Sequence, residues 1–233
     1  MLRPQQIGVF LYGSLLLMAF LLQGGCASLE DQVAPAEELT SKAMERFGKG
    51  NYYSANEIFN TIKEHYPFTR FSLLAELKSA DCKYYQDEYE EALKLYAEFE
   101  KNHPTNEAMP YVLFQVGRSH FLSLSTIDRD PGQATETISS LARLLKTYPN
   151  SPYTEEAKVL IDKSRNFLAD HELYVANFYF RTKEVGQAEK RARELAQVYP
   201  GTEAAQKALE LLKKIESLPT KGERSPELTG EEE

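Results

Sequence analysis

The sequence predicts an all-α fold in which antiparallel helical hairpins stack into a superhelical solenoid. Two observations support this prediction. Apolar residues recur at helical spacing, as in Ala55, Ile58, Phe59 and Ile62, so each helix carries an apolar stripe. Segments of this kind end at a tyrosine or histidine followed by proline, which stops a helix, at residues 66–67, 103–104, 148–149 and 199–200.

The spacing within these segments is that of a tetratricopeptide repeat. An alanine stands twelve residues before the first, second and fourth proline, at Ala55, Ala92 and Ala188, and this matches the small residue and terminal proline of the repeat. In the third copy Thr137 takes the small position, and Ala134 lies one turn earlier. The prolines are 37, 45 and 51 residues apart, against about 34 in a standard repeat. We therefore expect about five irregular repeats, the last one incomplete.

Each of these segments is the second helix of a hairpin. The first helices are expected at about 36–48, 70–85, 107–122 and 152–181, with a last helix at 202–217. Short loops at 49–51 and 86–88 require antiparallel pairs. A longer loop, 124–131, precedes the third repeat's second helix, and the stretch 153–181 contains no proline or glycine, which predicts one long or kinked helix.

The first 25 residues have the pattern of a lipoprotein signal peptide. Arg3 precedes an apolar stretch, 7–22, that leads into Gly24-Gly25-Cys26. This stretch is shorter than the roughly 20 apolar residues of a spanning helix. Cleavage before Cys26 and attachment of diacylglycerol to its thiol are predicted, with an uncleaved signal anchor as the alternative. Ala27 is not the aspartate that usually retains lipoproteins in the inner membrane, so the resemblance implies the periplasmic face of the outer membrane.

The mature chain is expected to have a lipidated tether at 26–35, a repeat domain at 36–217 and a disordered acidic tail at 218–233. The net charge is -8, and no segment clusters lysine and arginine, which argues against nucleic-acid binding. The sequence has two cysteines. Lipidation of Cys26 would leave Cys82 without an internal disulfide partner, so packing must hold the fold.

No catalytic constellation occurs in the sequence. The histidines are not at metal-ligand spacing, and there is no phosphate-binding glycine loop, G-x-S-x-G elbow or C-x-x-C motif. His65 and His103 are expected at helix C-termini, where the helix dipole favours them. We therefore predict that the protein is not an enzyme and that it needs no metal or cofactor.

The charged loop at 128–130 allows two interpretations. Asp128 and Asp130 flank Arg129, an arrangement that could suggest acid–base chemistry. However, Asp130 before Pro131 fits a helix N-cap with proline at the first helical position. The remaining functional role for this loop is a contact with another protein.

Several longer motifs carry a family resemblance: Tyr66-Pro67-Phe68, His103-Pro104-Thr105, Asp128-Arg129-Asp130-Pro131, the segment 148–153, the segment 165–176 with its HELYVA stretch, and Tyr199-Pro200-Gly201-Thr202. They are similar to motifs of the BamD family, the tetratricopeptide lipoproteins of the outer-membrane β-barrel assembly (BAM) machinery. The resemblance extends over about residues 36–215.

The resemblance implies a periplasmic scaffold and substrate-binding subunit that helps to insert β-barrel proteins into the outer membrane. The early repeats would form a groove for unfolded outer-membrane proteins. Its candidate residues are Tyr66, Pro67, Phe68 and Tyr84. The alternative for Tyr66 and Tyr84 is that they are packed between hairpins.

The later repeats would dock on the periplasmic domain of the barrel-forming BamA subunit. The docking candidates are Asp128, Arg129, Asp130 and Arg191, although Arg191 could instead be an ordinary solvated residue. Other lipoproteins of the same machinery are the remaining candidate partners. The alternative function is that of another envelope tetratricopeptide scaffold, in cell division and peptidoglycan synthesis or in pilus or polysaccharide export.

Overall fold

The structure, a computed structural model, describes residues 33–218, and this part of the chain is built from α-helices. They are α1 (Ala36–Gly48), α2 (Tyr52–His65), α3 (Arg70–Tyr85), α4 (Tyr89–Asn102), α5 (Met109–Leu122), α6 (Gly132–Thr147), α7 (Thr154–Arg181), α8 (Val185–Val198) and α9 (Glu203–Glu216). The all-α prediction is confirmed. The predicted signal peptide and Cys26 lie outside the described residues, as do most of the tether and the tail.

The helices form the hairpins α1–α2, α3–α4, α5–α6 and α7–α8, and α9 follows as a single helix. Each helix packs on the next, and contacts also join α1 with α3, α5 with α7 and α7 with α9. Three hairpin turns are short, and their middle residues Gly50, Asp87 and Lys183 have φ of 76°, 60° and 66°. The third hairpin instead has the longer loop 123–131.

The small positions of the repeat are all buried. Ala55, Ala92, Thr137 and Ala188 have no exposed surface. The Thr137 hydroxyl donates a hydrogen bond to the Gln133 carbonyl at 2.8 Å, so the third repeat accommodates a polar residue at this position without an unsatisfied hydroxyl. The assignment of Thr137 to the small position of the third repeat is therefore supported by its burial.

Helices α5 and α6 lie very close together at Gly117, a contact that the sequence did not predict. A Cβ atom at Gly117 would lie 2.3 Å from Leu141 Cδ2, and Leu141 is fully buried. Carbon atoms in contact are normally about 3.5–4.0 Å apart. Only glycine therefore permits α5 to lie this close to α6.

Helix α7 is continuous from Thr154 to Arg181, as the absence of proline and glycine from this stretch predicted. It takes part in two apolar clusters. Ala157 and Leu160 belong to the cluster built by the second and third hairpins, whereas Ala169 and Ala176 belong to the cluster built with α8 and α9. This length explains the wide spacing of the last two prolines.

A buried carboxylate links three helices in the middle of the stack. Asp81 on α3 has no exposed surface, and its Oδ1 accepts hydrogen bonds from the hydroxyls of Tyr96 on α4 at 2.7 Å and Tyr111 on α5 at 2.8 Å. Lys78 Nζ donates to Oδ2 at 2.8 Å and also lies 4.8 Å from the Phe47 ring centroid. Burial, together with the nearby Asp81 charge, raises the pKa of both tyrosines, so both remain protonated donors.

Cys82, the next residue along α3, is a free thiol in the core. Burial, with a smaller contribution from the charge of Asp81, raises the pKa of this thiol to about 12. At neutral pH it is therefore an uncharged apolar core residue, since the thiolate is the reactive form of cysteine.

We expect Asp81→Ala to lower the free energy of unfolding by about 3–5 kcal/mol, because it leaves two tyrosine hydroxyls without their acceptor and removes the partner of Lys78. Urea unfolding followed by circular dichroism measures this loss. Glu45→Ala is the control, because it removes only an exposed ion pair with Lys49 and should change stability far less. Equal losses in the two variants would contradict the assigned importance of the network.

We expect Gly117→Ala to lower the free energy of unfolding by about 1–3 kcal/mol, since the added methyl group overpacks the contact with Leu141. Gly186→Ala is the matched control. A Cβ atom there meets nothing within 4 Å, so this change should raise stability, by up to about 1 kcal/mol. Opposite signs in thermal or urea unfolding are the expected result.

Candidate functional site

The turn between α2 and α3 holds an aromatic side chain in solvent. The N–H of Tyr66 donates to the Ile62 carbonyl at 2.9 Å, and the Thr69 hydroxyl donates to the Tyr66 carbonyl at 2.8 Å. Thr69 is also the N-cap of α3, because its hydroxyl oxygen accepts from the Ser72 N–H at 3.2 Å. Phe68 lies between these fixed points with φ 62° and a relative exposure of 104%.

This conformation of Phe68 is unfavourable for stability. Left-handed backbone costs a residue with a side chain about 1–2 kcal/mol, which is why glycine usually occupies such positions. The exposed ring recovers none of this cost through burial. An exposed phenylalanine at a positive φ therefore indicates a role other than stabilising the fold.

Phe68 lies beside an open groove of about 690 Å³ between the start of α3 and the end of α4. Its lining residues are Phe68, Thr69, Arg70, Ser72, Leu73, Glu76, Asn102 and His103. The apolar part comes from Phe68 and Leu73. The polar part includes Glu76, whose Oε2 accepts a hydrogen bond from His103 Nε2 at 2.7 Å. Such a groove offers both apolar contacts and hydrogen-bond partners to a peptide.

His103 has a more specific environment than the sequence analysis predicted. It follows the last residue of α4, at the expected helix C-terminus, and its N–H donates to the Phe99 carbonyl at 2.8 Å. Its ring, however, is paired with Glu76 of α3 and lies 4.9 Å from the Phe99 ring. Only the fold reveals this pairing, because Glu76 is 27 residues away in the chain.

The other groove candidates occupy different environments. Tyr66 is half-buried and Pro67 is exposed. Tyr84 is only 5% exposed, its ring lies 5.5 Å from the Arg118 guanidinium carbon, and burial raises the pKa of its hydroxyl. Of the two interpretations of Tyr84, the structure therefore has the residue packed between hairpins and not in the groove wall.

The loop at 123–131 carries three of the docking candidates. Asp128, Arg129 and Asp130 are all exposed. A hydrogen bond from Thr126 lowers the pKa of the Asp128 carboxyl. All three candidates are therefore accessible to a partner protein.

The expected start of α6 needs a correction. The helix begins at Gly132, and Pro131, with ψ 10°, is the N-cap, so proline is not the first helical residue and Asp130 is not the N-cap. The Asp130 carboxylate still accepts a hydrogen bond from the Gly132 N–H at 3.2 Å. Asp130 thus accepts a hydrogen bond from an N–H at the start of α6, although it lies one residue before the N-cap and not at the N-cap as predicted.

Arg191 lies on α8 and is paired with the HELYVA stretch. Its Nη1 donates to Oε2 of Glu172 on α7 at 3.1 Å, and the two side chains are 41% and 28% exposed. The neighbouring His171 Nδ1 forms a hydrogen bond of 2.6 Å with the Ile127 carbonyl in the loop 123–131. The structure therefore connects both groups of docking candidates to consecutive residues of α7.

The groove lies on the second hairpin and the turn before it, and the docking candidates lie on the third and fourth hairpins. Among residues 33–218, no histidine, cysteine, aspartate and glutamate side chains form a group that could hold a metal ion. Within the same range, no helix is both long enough and apolar enough to cross a bilayer.

Comparison with known proteins identifies the family. Residues 32–223 match the YfiO family, described as "Outer membrane lipoprotein". The chain is 32% identical over 207 residues to the outer membrane protein assembly factor BamD of Vibrio cholerae, covering 84% of this chain and 86% of that protein. It is 28% identical over 201 residues to BamD of Xylella fastidiosa, covering 80% and 69%. BamD of Rickettsia prowazekii is also 28% identical, over 199 residues, covering 84% and 79%.

The family match covers well over half of the chain, and the similarity to the Vibrio cholerae protein runs along most of both sequences. These matches confirm the resemblance on which the groove and docking candidates were chosen. The chain belongs to the YfiO family of outer membrane lipoproteins, the family of the BamD assembly factors.

Proposed function

We propose that this protein is a periplasm-facing scaffold and substrate-binding subunit of the outer-membrane β-barrel assembly machinery. Its relatives are named outer membrane protein assembly factors, which supports a role in the same process at the outer membrane. The alternative role in cell division or export is not favoured by these names. A diacylglycerol on Cys26 would attach the protein to the outer membrane, and the acceptor cysteine follows small residues as such a signal requires.

The observation that carries the substrate-binding role is Phe68, exposed at a positive φ beside the groove. Strands of outer-membrane barrels alternate apolar and polar residues and carry aromatic residues at their ends. An unfolded barrel protein therefore presents aromatic and aliphatic side chains together with unpaired backbone groups. Phe68 and Leu73 can contact the apolar side chains of the client, and the polar side chains of the groove can hydrogen-bond to its backbone groups.

The later repeats are proposed to dock on the periplasmic domain of the BamA-type barrel subunit. The Arg191 guanidinium is partly exposed although it is paired with Glu172, so it can also reach a carboxylate on a partner. Other lipoproteins of the machinery are further proposed partners.

That the protein is not an enzyme remains a prediction, since binding alone accounts for this role.

We expect Phe68→Gly to weaken binding of peptides from unfolded outer-membrane barrel proteins by about tenfold, because it removes the exposed ring. The same change should raise the free energy of unfolding by up to about 1 kcal/mol, since glycine adopts the left-handed conformation without strain. Peptide affinity is measured by fluorescence anisotropy and stability by urea unfolding.

Lys183→Gly is the matched control for Phe68→Gly, because Lys183 is exposed and has φ 66° in a hairpin turn far along the chain. It should also stabilise the fold and leave peptide binding unchanged. If both variants bound peptide as well as the unsubstituted protein, the groove would not be the binding site.

We expect Arg191→Glu to reduce co-purification with the BamA-type subunit from detergent-solubilised membranes by about tenfold, since it reverses the charge at the docking surface and repels Glu172. Lys190→Glu is the control. It makes the same change of charge at an exposed neighbouring position on α8 and should have little effect. Normal levels of outer-membrane barrels after depletion of the protein would contradict the proposed function as a whole.

A further inference from the structure

The loop 123–131 is attached to a helix of the next hairpin. The Ile127 carbonyl can only accept a hydrogen bond, so the His171 nitrogen 2.6 Å away, Nδ1, carries the proton and donates. His171 lies in the middle of α7, 44 residues further along the chain. The loop therefore connects its own hairpin, α5–α6, with the following one.

Apolar and polar residues both line the surface next to this hydrogen bond, the polar ones being Asp170, Asn177, Arg181 and Lys207. Ile127 shares an open cavity of about 490 Å³ with Leu173 and Tyr174 of α7. Ile127 is 40% exposed and Tyr174 is 39% exposed, so the attachment lies at the surface and not in the core. A surface attachment of this kind can be removed without opening the apolar clusters of the solenoid.

The docking candidates Asp128, Arg129 and Asp130 directly follow the attached residue. Their own hydrogen bonds are local, since the Arg129 N–H donates to the Thr126 carbonyl at 3.1 Å and the Asp130 carboxylate accepts from Gly132. These bonds shape the loop but do not fix it to another helix. The hydrogen bond between Ile127 and His171 does so.

We propose that His171 is a positioning residue for partner docking. Its hydrogen bond holds the loop on α7, so that residues 128–130 are presented in one place to the periplasmic domain of the BamA-type subunit. Glu172, the next residue, holds Arg191 on α8 at 3.1 Å. One short segment of α7 thus orders both parts of the docking surface. This inference rests on the proposed function.

His171→Leu tests the proposal in the full chain purified in detergent. Leucine has a side chain of similar bulk but no hydrogen-bond donor. Amide hydrogen exchange in residues 124–130 should become about fivefold faster, as expected for the loss of one net hydrogen bond. Affinity for the purified periplasmic domain of the barrel subunit should fall by a similar factor, while the melting temperature stays close to that of the unsubstituted protein.

Two further variants separate positioning from a general structural effect. His171→Asn places an N–H donor at the same number of bonds from the backbone as Nδ1, so it should restore slow exchange and much of the affinity. Asn166→Leu changes an exposed residue of the same helix to leucine and should alter neither measurement. Rescue by asparagine is not expected if the histidine ring contributes only packing.

Several results would overturn the proposal. Unchanged exchange in His171→Leu would show that the hydrogen bond does not hold the loop, and faster exchange with unchanged affinity would show that the loop does not take part in docking. If His171→Leu does not fold, the double variant Asp128→Ala and Arg129→Ala keeps the attachment, and full affinity in that variant would also overturn it. Absence of binding by the unsubstituted chain would instead contradict the proposed function itself, even where exchange responds as expected.

Discussion

The middle of the solenoid depends on the hydrogen bonds that the Asp81 carboxylate accepts. It is buried and accepts hydrogen bonds from Lys78 on its own helix, Tyr96 on α4 and Tyr111 on α5. A buried carboxylate is tolerated only with such partners, so the charge is satisfied in one mutual arrangement of the three helices. This arrangement places α3 beside the end of α4, where the proposed peptide groove lies, and orients α5, which leads into the loop 123–131. Apolar stripes alone would allow the helices to shift along one another. The directional hydrogen bonds at Asp81 hold the three helices in one arrangement.

The long helix α7 joins the middle of the stack to its second half. Its first half packs in the cluster of the second and third hairpins, and its second half packs with α8 and α9. His171 and Glu172 lie in that second half, where they contact the loop before α6 and Arg191 of α8. In a solenoid each repeat contacts mainly its neighbours. A continuous helix shared by two clusters therefore determines how the second and third hairpins are joined to α8 and α9.

The groove and the core differ in packing and in backbone strain. In the core, small residues and satisfied polar groups allow close packing, as at Gly117 and Thr137. At the groove, Phe68 keeps an unfavourable backbone conformation and an exposed ring, and hydrogen bonds of the turn hold both in place. The other positive-φ residues with side chains, among those described, are the polar Asp87 and Lys183 in hairpin turns. Strain together with apolar exposure thus distinguishes Phe68 from an ordinary turn residue.

The sequence by itself determined the class of fold, the repeat and the family. The helices at 36–48 and 70–85 begin and end where they were predicted, and the starts expected at 107 and 152 lie within two residues of the observed ones. Proline stops and apolar periodicity act over a few residues, so the sequence displays them directly. The tertiary structure alone decided that Tyr84 is packed in the core, that His103 pairs with Glu76, that Asp81 links three helices and that His171 hydrogen-bonds to the Ile127 carbonyl. These contacts join residues that are distant in the chain, and side chains meet in this way only after the helices have packed.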